Sequence, residues 1–227
     1  MLNIENILES PIITNPWQYQ LVDNILTKES YDKILEGGKI LAEAAAQEPR
    51  DPNGIWMHDA AKYGVPNDTI NLIMDLNLQF LQNHNKVLAR YQNAMNSKIG
   101  YFSIPRYNFI GPNVDGTIHD EGNNKTIAMV MYLSPEKTIG TRLYTEENYN
   151  SFVKEVEWKP NRAFIMCSQP GITWHSFHSD HQSRLTLNFY YEKMENMQYI
   201  NNLGIEKINW FYNQFLEGKV LSIYDDR

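Results

Sequence analysis

Hydrophobic positions along this chain change period twice. Between residues 28 and 47, Tyr31, Ile34, Leu35 and Leu41 recur at the spacing of one helical face, and Thr27 is placed to cap the start. Gly37-Gly38 interrupts that stretch and predicts a kink or a split. A second helical series, Ile70, Ile73, Met74, Leu81, Leu88 and Tyr91, begins at Asn67-Asp68 and runs to about Asn93. Ahead of both, residues 1–26 alternate large side chains at Trp17, Tyr19 and Leu21 and predict extended chain. Residues 47–66 carry Pro49, Pro52, Gly54, Gly64 and Pro66 and predict an irregular connection.

From residue 99 the period falls to two. Short runs at 99–104, 107–110, 126–133, 142–144, 153–158, 163–167 and 185–191 alternate with turn signals. Residues 201–218 return to helical spacing, with Ile208, Phe211, Phe215 and Leu216 on one face and Gly218 as a stop. Helices, then many short strands, then a closing helix predict an α+β fold, mostly β. Its core would be a double-sheet jelly roll with helices packed on it. No repeat or composition break divides the chain. One domain over residues 1–227 is predicted, with helical support in 1–97, the β core in 98–191 and a C-terminal helical extension in 192–227.

Charge and composition narrow the function classes. A net charge of −7 argues against nucleic acid as a partner, since phosphate binding needs a basic face. No apolar run approaches the length of a membrane helix, and the N-terminus lacks the basic start and apolar core of a signal peptide. The lone Cys167, set in Phe-Ile-Met-Cys, reads as a buried thiol and fits a reducing compartment. A cytoplasmic protein acting on a small molecule or peptide is the expectation.

Two polar clusters carry the chemistry. The first is His119-Asp120-Glu121, just ahead of the apolar run 126–133. On a strand, His119 and Glu121 would share a face while Asp120 pointed away. A His-x-carboxylate pair with one distant His is the donor set that holds non-haem Fe(II) on three adjacent corners. The second cluster contains His175, His178 and His181 and leads into Arg184-Leu185-Thr186. Arg184 and Thr186 share a strand face, and a guanidinium beside a hydroxyl suits a buried carboxylate. His178 and His181 read as a solvated loop. His58 and His84 lack carboxylate neighbours at ligand spacing and read as surface or packing residues.

These residues resemble the Fe(II)/2-oxoglutarate-dependent dioxygenases, particularly the prolyl 4-hydroxylase-like branch. His119-x-Glu121, the distal His175, and Arg184-x-Thr186 nine residues later match that family's spacing. Arg106-Tyr107, Tyr132-Leu133-Ser134, the segment from Gly140 to Tyr144 and that from Lys159 to Phe164 also look like family segments. The resemblance covers about Lys98 to Tyr191, and the stretch from Ser10 to about Leu35 looks like the opening of phage-borne members. One departure is Glu121, where the family usually has Asp; a bulge at Asp120 would offer that carboxylate instead.

The resemblance implies a double-stranded β-helix that binds Fe(II) through His119, Glu121 and His175. It implies 2-oxoglutarate held by Arg184, Thr186, Tyr132 and Tyr107, dioxygen as co-reactant, and room for ascorbate. The implied reaction hydroxylates a C–H bond and releases succinate and CO2. Trp174, Tyr107 and Tyr144 could line the substrate pocket, but aromatic residues beside a β core more often pack. Two alternatives keep the fold without the oxidation: a cupin-like sugar-binding or epimerase protein using His and carboxylate as acid and base, and an iron-free binding protein.

Overall fold

A computed structural model describes residues 1–46, 55–91, 100–193 and 223–224 of the chain. Among them, β1 (Tyr19–Val22), β8 (Ala163–Cys167), β5 (Lys125–Ser134) and β10 (Arg184–Lys193) lie side by side in the larger sheet. The far edge of β10 carries β4 (Arg106–Ile110) along its first half and β3 (Gly100–Phe102) at its end. The short β2 (Ile55–Trp56) pairs with β4, and β11 (Ile223–Tyr224) with β3. A smaller sheet orders β7 (Phe152–Glu155), β6 (Arg142–Tyr144) and β9 (His175–Ser176). Isolated bridges from Asp115 to His178 and from His119 to His175 lay residues 115–119 along the open edge of β9. Two facing antiparallel sheets form the predicted jelly-roll core.

Strand periodicity sorts the larger sheet into two chemistries. Leu185, Leu187, Phe189 and Tyr191 of β10, with Ile127, Met129, Met131 and Leu133 of β5, enter the core beneath the helices. The residues between them, among them Val130, Arg184, Thr186, Asn188 and Tyr190, line a cavity between the sheets. β10 is thus buried on both faces, but only one is apolar.

The helices α2 (Lys28–Ala45) and α4 (Asn67–Gln82) cover the apolar face. Glycines 37 and 38 do not split α2. A Cβ on Gly37 would meet Thr69 Cγ2 at 2.8 Å, and one on Gly38 would meet Leu185 Cδ2 at 2.7 Å. Both glycines let the helix settle onto α4 and the sheet. Tyrosine tips at this interface donate to carbonyls: the half-buried Tyr31 to Leu133 at 2.6 Å, and the buried Tyr107 to Ile34 at 2.8 Å and Tyr191 to Phe80 at 2.7 Å.

Several predicted boundaries are corrected. Residues 1–26 are not all extended, because Ile4–Glu9 forms a helix, α1. Gln20 donates to the carbonyls of Ile7 and Ser10 at 2.9 and 2.8 Å and so ends that helix on β1. The helix predicted to run to Asn93 breaks at Asn83, whose side chain folds back to Gln79 O at 2.8 Å, and α5 (His84–Leu88) follows. The irregular connection contains α3 (Met57–Ala60) and a 3-10 turn, Ala61–Tyr63. The strand predicted for 153–158 ends at Glu155; Val156 and Trp158 turn inward, and Trp158 stacks on Tyr132 with centroids 4.4 Å apart. The helix predicted for 201–218 lies outside the described residues. Among the described residues, no helix is long and apolar enough to cross a membrane.

Two predictions follow from this packing. A Cβ on Gly140 would fall 1.6 Å from the Val156 carbonyl oxygen, a backbone atom that cannot yield by a rotamer change. Gly140→Ala should therefore cost about 1–3 kcal/mol or more of unfolding free energy in urea. Asp23 accepts from Arg162 at 2.6 and 3.2 Å and from Lys159 at 2.7 Å. The Arg162 hydrogen bond, with help from Lys159, outweighs partial burial and holds its pKa at about 2, down from 3.8. A depressed carboxylate stabilises when ionised, so this contribution is present above the unfolded value and is lost as pH falls through the folded one. Asp23→Asn should cost about 1 kcal/mol at neutral pH, discounted for exposure, and far less near the folded pKa. Urea midpoints across that range will show it.

Candidate metal centre and its cavity

Three side chains predicted as metal donors converge although His175 lies on a segment remote from the other two. His119 and His175 exchange backbone hydrogen bonds, N to O in each direction, at 2.9 Å. That pairing sets their rings with centroids 4.3 Å apart. Each Nδ1 faces the carbonyl two residues back, Thr117 O at 3.0 Å for His119 and Thr173 O at 2.9 Å for His175. A neutral imidazole that donates from Nδ1 keeps its Nε2 lone pair for a metal. Both Nε2 atoms face Glu121 Oε1, at 4.0 Å from His119 and 3.7 Å from His175. One ligand atom from each of the three lies within 4.8 Å of the others.

Glu121 does not reach this position by strand alternation. The pairing stops at His119, and Glu121 takes a left-handed φ of +64°. That turn aims its carboxylate back at the two imidazoles. Asp120 is engaged elsewhere. Its Oδ1 accepts from Gly122 N at 2.9 Å and its Oδ2 from Gly171 N at 2.5 Å, so it braces the loop that carries Glu121.

Charges around the triad favour metal-competent protonation states. Burial lowers the pKa of His119, and His175 adds to that against the pull of Glu121. Burial alone would raise Glu121, but Lys125 and both histidines hold it well below the ordinary carboxylate range. Lys125 pairs with Glu121 Oε2 and lies 4.0 Å from the centroid of the Tyr190 ring.

The cavity beside these residues has a volume of about 300 Å³, and Arg184 and Thr186 line it with the triad. Arg184 is 2% exposed and makes only long hydrogen bonds, to His178 O at 3.3 Å and Thr141 Oγ1 at 3.5 Å. Its Nε is buried with no partner, and among the described residues no carboxylate lies within ion-pair distance. Burial lowers its pKa despite Tyr132 and Glu155, yet a guanidinium stays charged at any ordinary pH. An unpaired buried cation is costly, and a ligand carboxylate would relieve it. Tyr132 stands one step back, bonded to Thr141 Oγ1 at 2.9 Å with its ring 5.6 Å from the guanidinium.

Two expectations change, for Tyr107 and His178. Tyr107, predicted to touch the cosubstrate, points into the helix-facing core and donates to Ile34 O, because odd-numbered residues of β4 face away from the cavity. His178 is no solvated loop residue. It is 1% exposed, with Nε2 2.6 Å from Ser176 Oγ and Nδ1 2.6 Å from Asp115 Oδ1. Neither Trp174 nor Tyr144 is among the lining residues. Tyr144 bonds Ser176 Oγ at 3.0 Å, and the aromatic walls are Phe164, Phe177 and Tyr190. His181 is exposed and His84 is buried against Tyr101 and Tyr191; the His58 side chain lies outside those described.

The lining also includes residues that sequence reasoning missed: Lys125, Thr141, Asn108, Asn188 and Tyr190. For Asn188 and Tyr190 a signal existed, since polar groups recur at every second position of β10 opposite an apolar series. Lys125 had none.

No protein-family model and no curated protein matches the sequence. Solved structures match in fold. A prolyl 4-hydroxylase from Phytophthora capsici is 15% identical at a TM-score of 0.55, over 78% of this chain and 59% of that one. The non-heme alpha ketoglutarate-dependent epimerase SnoN from nogalamycin biosynthesis is 11% identical at 0.52, over 77% and 76%. The chain therefore has the jelly-roll fold of the 2-oxoglutarate-dependent oxygenases. These neighbours give no support to the phage-borne type.

The two carboxylates next to His119 should separate cleanly by mutation. Asp120→Ala should lower stability by about 1–2 kcal/mol through its two lost amide bonds while divalent-ion binding persists. Glu121→Ala should abolish that binding, as calorimetric titration with Mn(II) would show.

Proposed function

We propose that this chain is an Fe(II)- and 2-oxoglutarate-dependent oxygenase that hydroxylates a C–H bond of a small molecule or peptide. The observation that carries the reading is Arg184, a buried guanidinium that pairs with no carboxylate among the described residues and lines the same cavity as a two-histidine, one-carboxylate cluster. His119 and His175 would hold the metal through Nε2 and Glu121 through Oε1, leaving the remaining positions for 2-oxoglutarate and dioxygen. Arg184 would grip the far carboxylate of 2-oxoglutarate, with Thr186 beside it and Tyr132 acting through Thr141. When bound, the metal and 2-oxoglutarate supply oxidative decarboxylation to succinate and CO2 and the oxidising power for hydroxylation. The chain's own part is to orient these groups, keep Glu121 ionised and keep bulk water from the carboxylate pocket. A non-oxidative cupin-like reading would use His119, His175 and Glu121 as acid and base, but it leaves Arg184 without a purpose.

Anaerobic titration with Fe(II) should produce a weak visible charge-transfer band only when 2-oxoglutarate is present, and His175→Ala should lose it. A folded, iron-loaded protein without that band would remove the oxygenase reading. Arg184→Ala should raise the 2-oxoglutarate concentration needed for half-maximal band intensity by about tenfold or more, whereas a cupin-like protein would show no such dependence.

A further inference from the structure

Glu121 has two carboxylate oxygens, and the structure gives them different partners. Oε1 faces both imidazoles, at 3.7 Å from His175 Nε2 and 4.0 Å from His119 Nε2. Oε2 is held by the ammonium of Lys125. That ammonium is itself fixed in place. The Lys125 side chain is 17% exposed and its Nζ lies 4.0 Å from the Tyr190 ring centroid. A register shift between Tyr191 and Glu192 breaks the alternation of β5 there. The odd-numbered Lys125 thus lines the cavity, as the even-numbered Val130 does further along the same strand.

A carboxylate can bind a metal through one oxygen or both, and the extra methylene of glutamate gives it freedom to turn both toward the ion. Doing so would occupy one of the positions that a two-histidine, one-carboxylate site leaves open. We propose that Lys125 is a positioning residue that holds Glu121 to one-oxygen ligation by occupying Oε2. This rests on the metal and 2-oxoglutarate reading above and explains how the site works with glutamate: the lysine preserves the open corner that the longer carboxylate would otherwise close.

The test uses Mn(II), which is redox-inert under these conditions, on the full chain. Lys125→Met should bind Mn(II) about as tightly as the unsubstituted protein, or more tightly. The Mn(II)-loaded variant should bind 2-oxoglutarate about tenfold more weakly, the scale of losses when a ligand's supporting partner is removed. Water-proton relaxation by bound Mn(II), which counts exchangeable waters on the ion, should fall by about a third as a second carboxylate oxygen displaces one of three. Lys125→Arg, which keeps a donor and a charge, should retain both properties. A merely electrostatic role would weaken 2-oxoglutarate binding and leave the water count unchanged, which would overturn the proposal. Loss of Mn(II) binding in a folded Lys125→Met would overturn it too, making Lys125 a support for the whole site. If the unsubstituted protein takes up Mn(II) but not 2-oxoglutarate, or takes up neither, the functional reading itself fails.

Discussion

The site depends on a single pair of backbone hydrogen bonds between His119 and His175. Residues on remote segments become lateral neighbours there, and their rings meet because facing residues of an antiparallel pair share a side. The geometry on either side follows from that pairing. The turn at Glu121 begins where it ends, and Ser176, next to His175, pairs with Arg142 of β6. Trp17 supports His175 in an edge-to-face arrangement with ring centroids 6.4 Å apart, while its Nε1 donates to Tyr144 O at 3.2 Å.

Against that apolar backing the cavity keeps an unusual amount of buried charge. Glu121 is matched by Lys125, and Arg106 by Glu192 at 2.6 Å. Arg184 has no such match among the described residues. Buried charges persist where partners or ligands compensate them. Among the described residues two pairs are complete and one cation stands over, an arrangement that suits an anionic group at the Arg184 end. Folds retain such locally unfavourable groups where the stability of the surrounding core is sufficient. Here that core is the apolar face of the same strand, Leu185, Leu187, Phe189 and Tyr191 under the helices.

The fold class and the three side chains that converge as candidate donors were legible in the sequence, and the reason is strand periodicity. A two-residue repeat fixes which side chains share a face, so Arg184 with Thr186 could be read without a structure. The same rule failed at Glu121, which reaches the site through a left-handed turn. Tyr107 was carried over from the resemblance, and alternation could not correct it, because it says that a residue faces one side and not which sheet face is the cavity. His178 was misjudged for a related reason: a polar loop looks solvated until Ser176 and Asp115, one of them far away in sequence, are seen to close around it.

What the sequence by itself determined is therefore local: the elements and their period, the α+β class, and the residue types able to bind a metal and a carboxylate. Only the tertiary structure decided which of these meet. Two amide hydrogen bonds occupy Asp120, and a left-handed turn, not the strand alternation that favoured Glu121, brings Glu121 to the imidazoles. The unpaired state of Arg184, and the ammonium of Lys125 on the far oxygen of Glu121, came from packing between strands remote in sequence. Contacts across a sheet are set by register and turn geometry summed over many residues, so local pattern nominates the donors and long-range pairing selects among them.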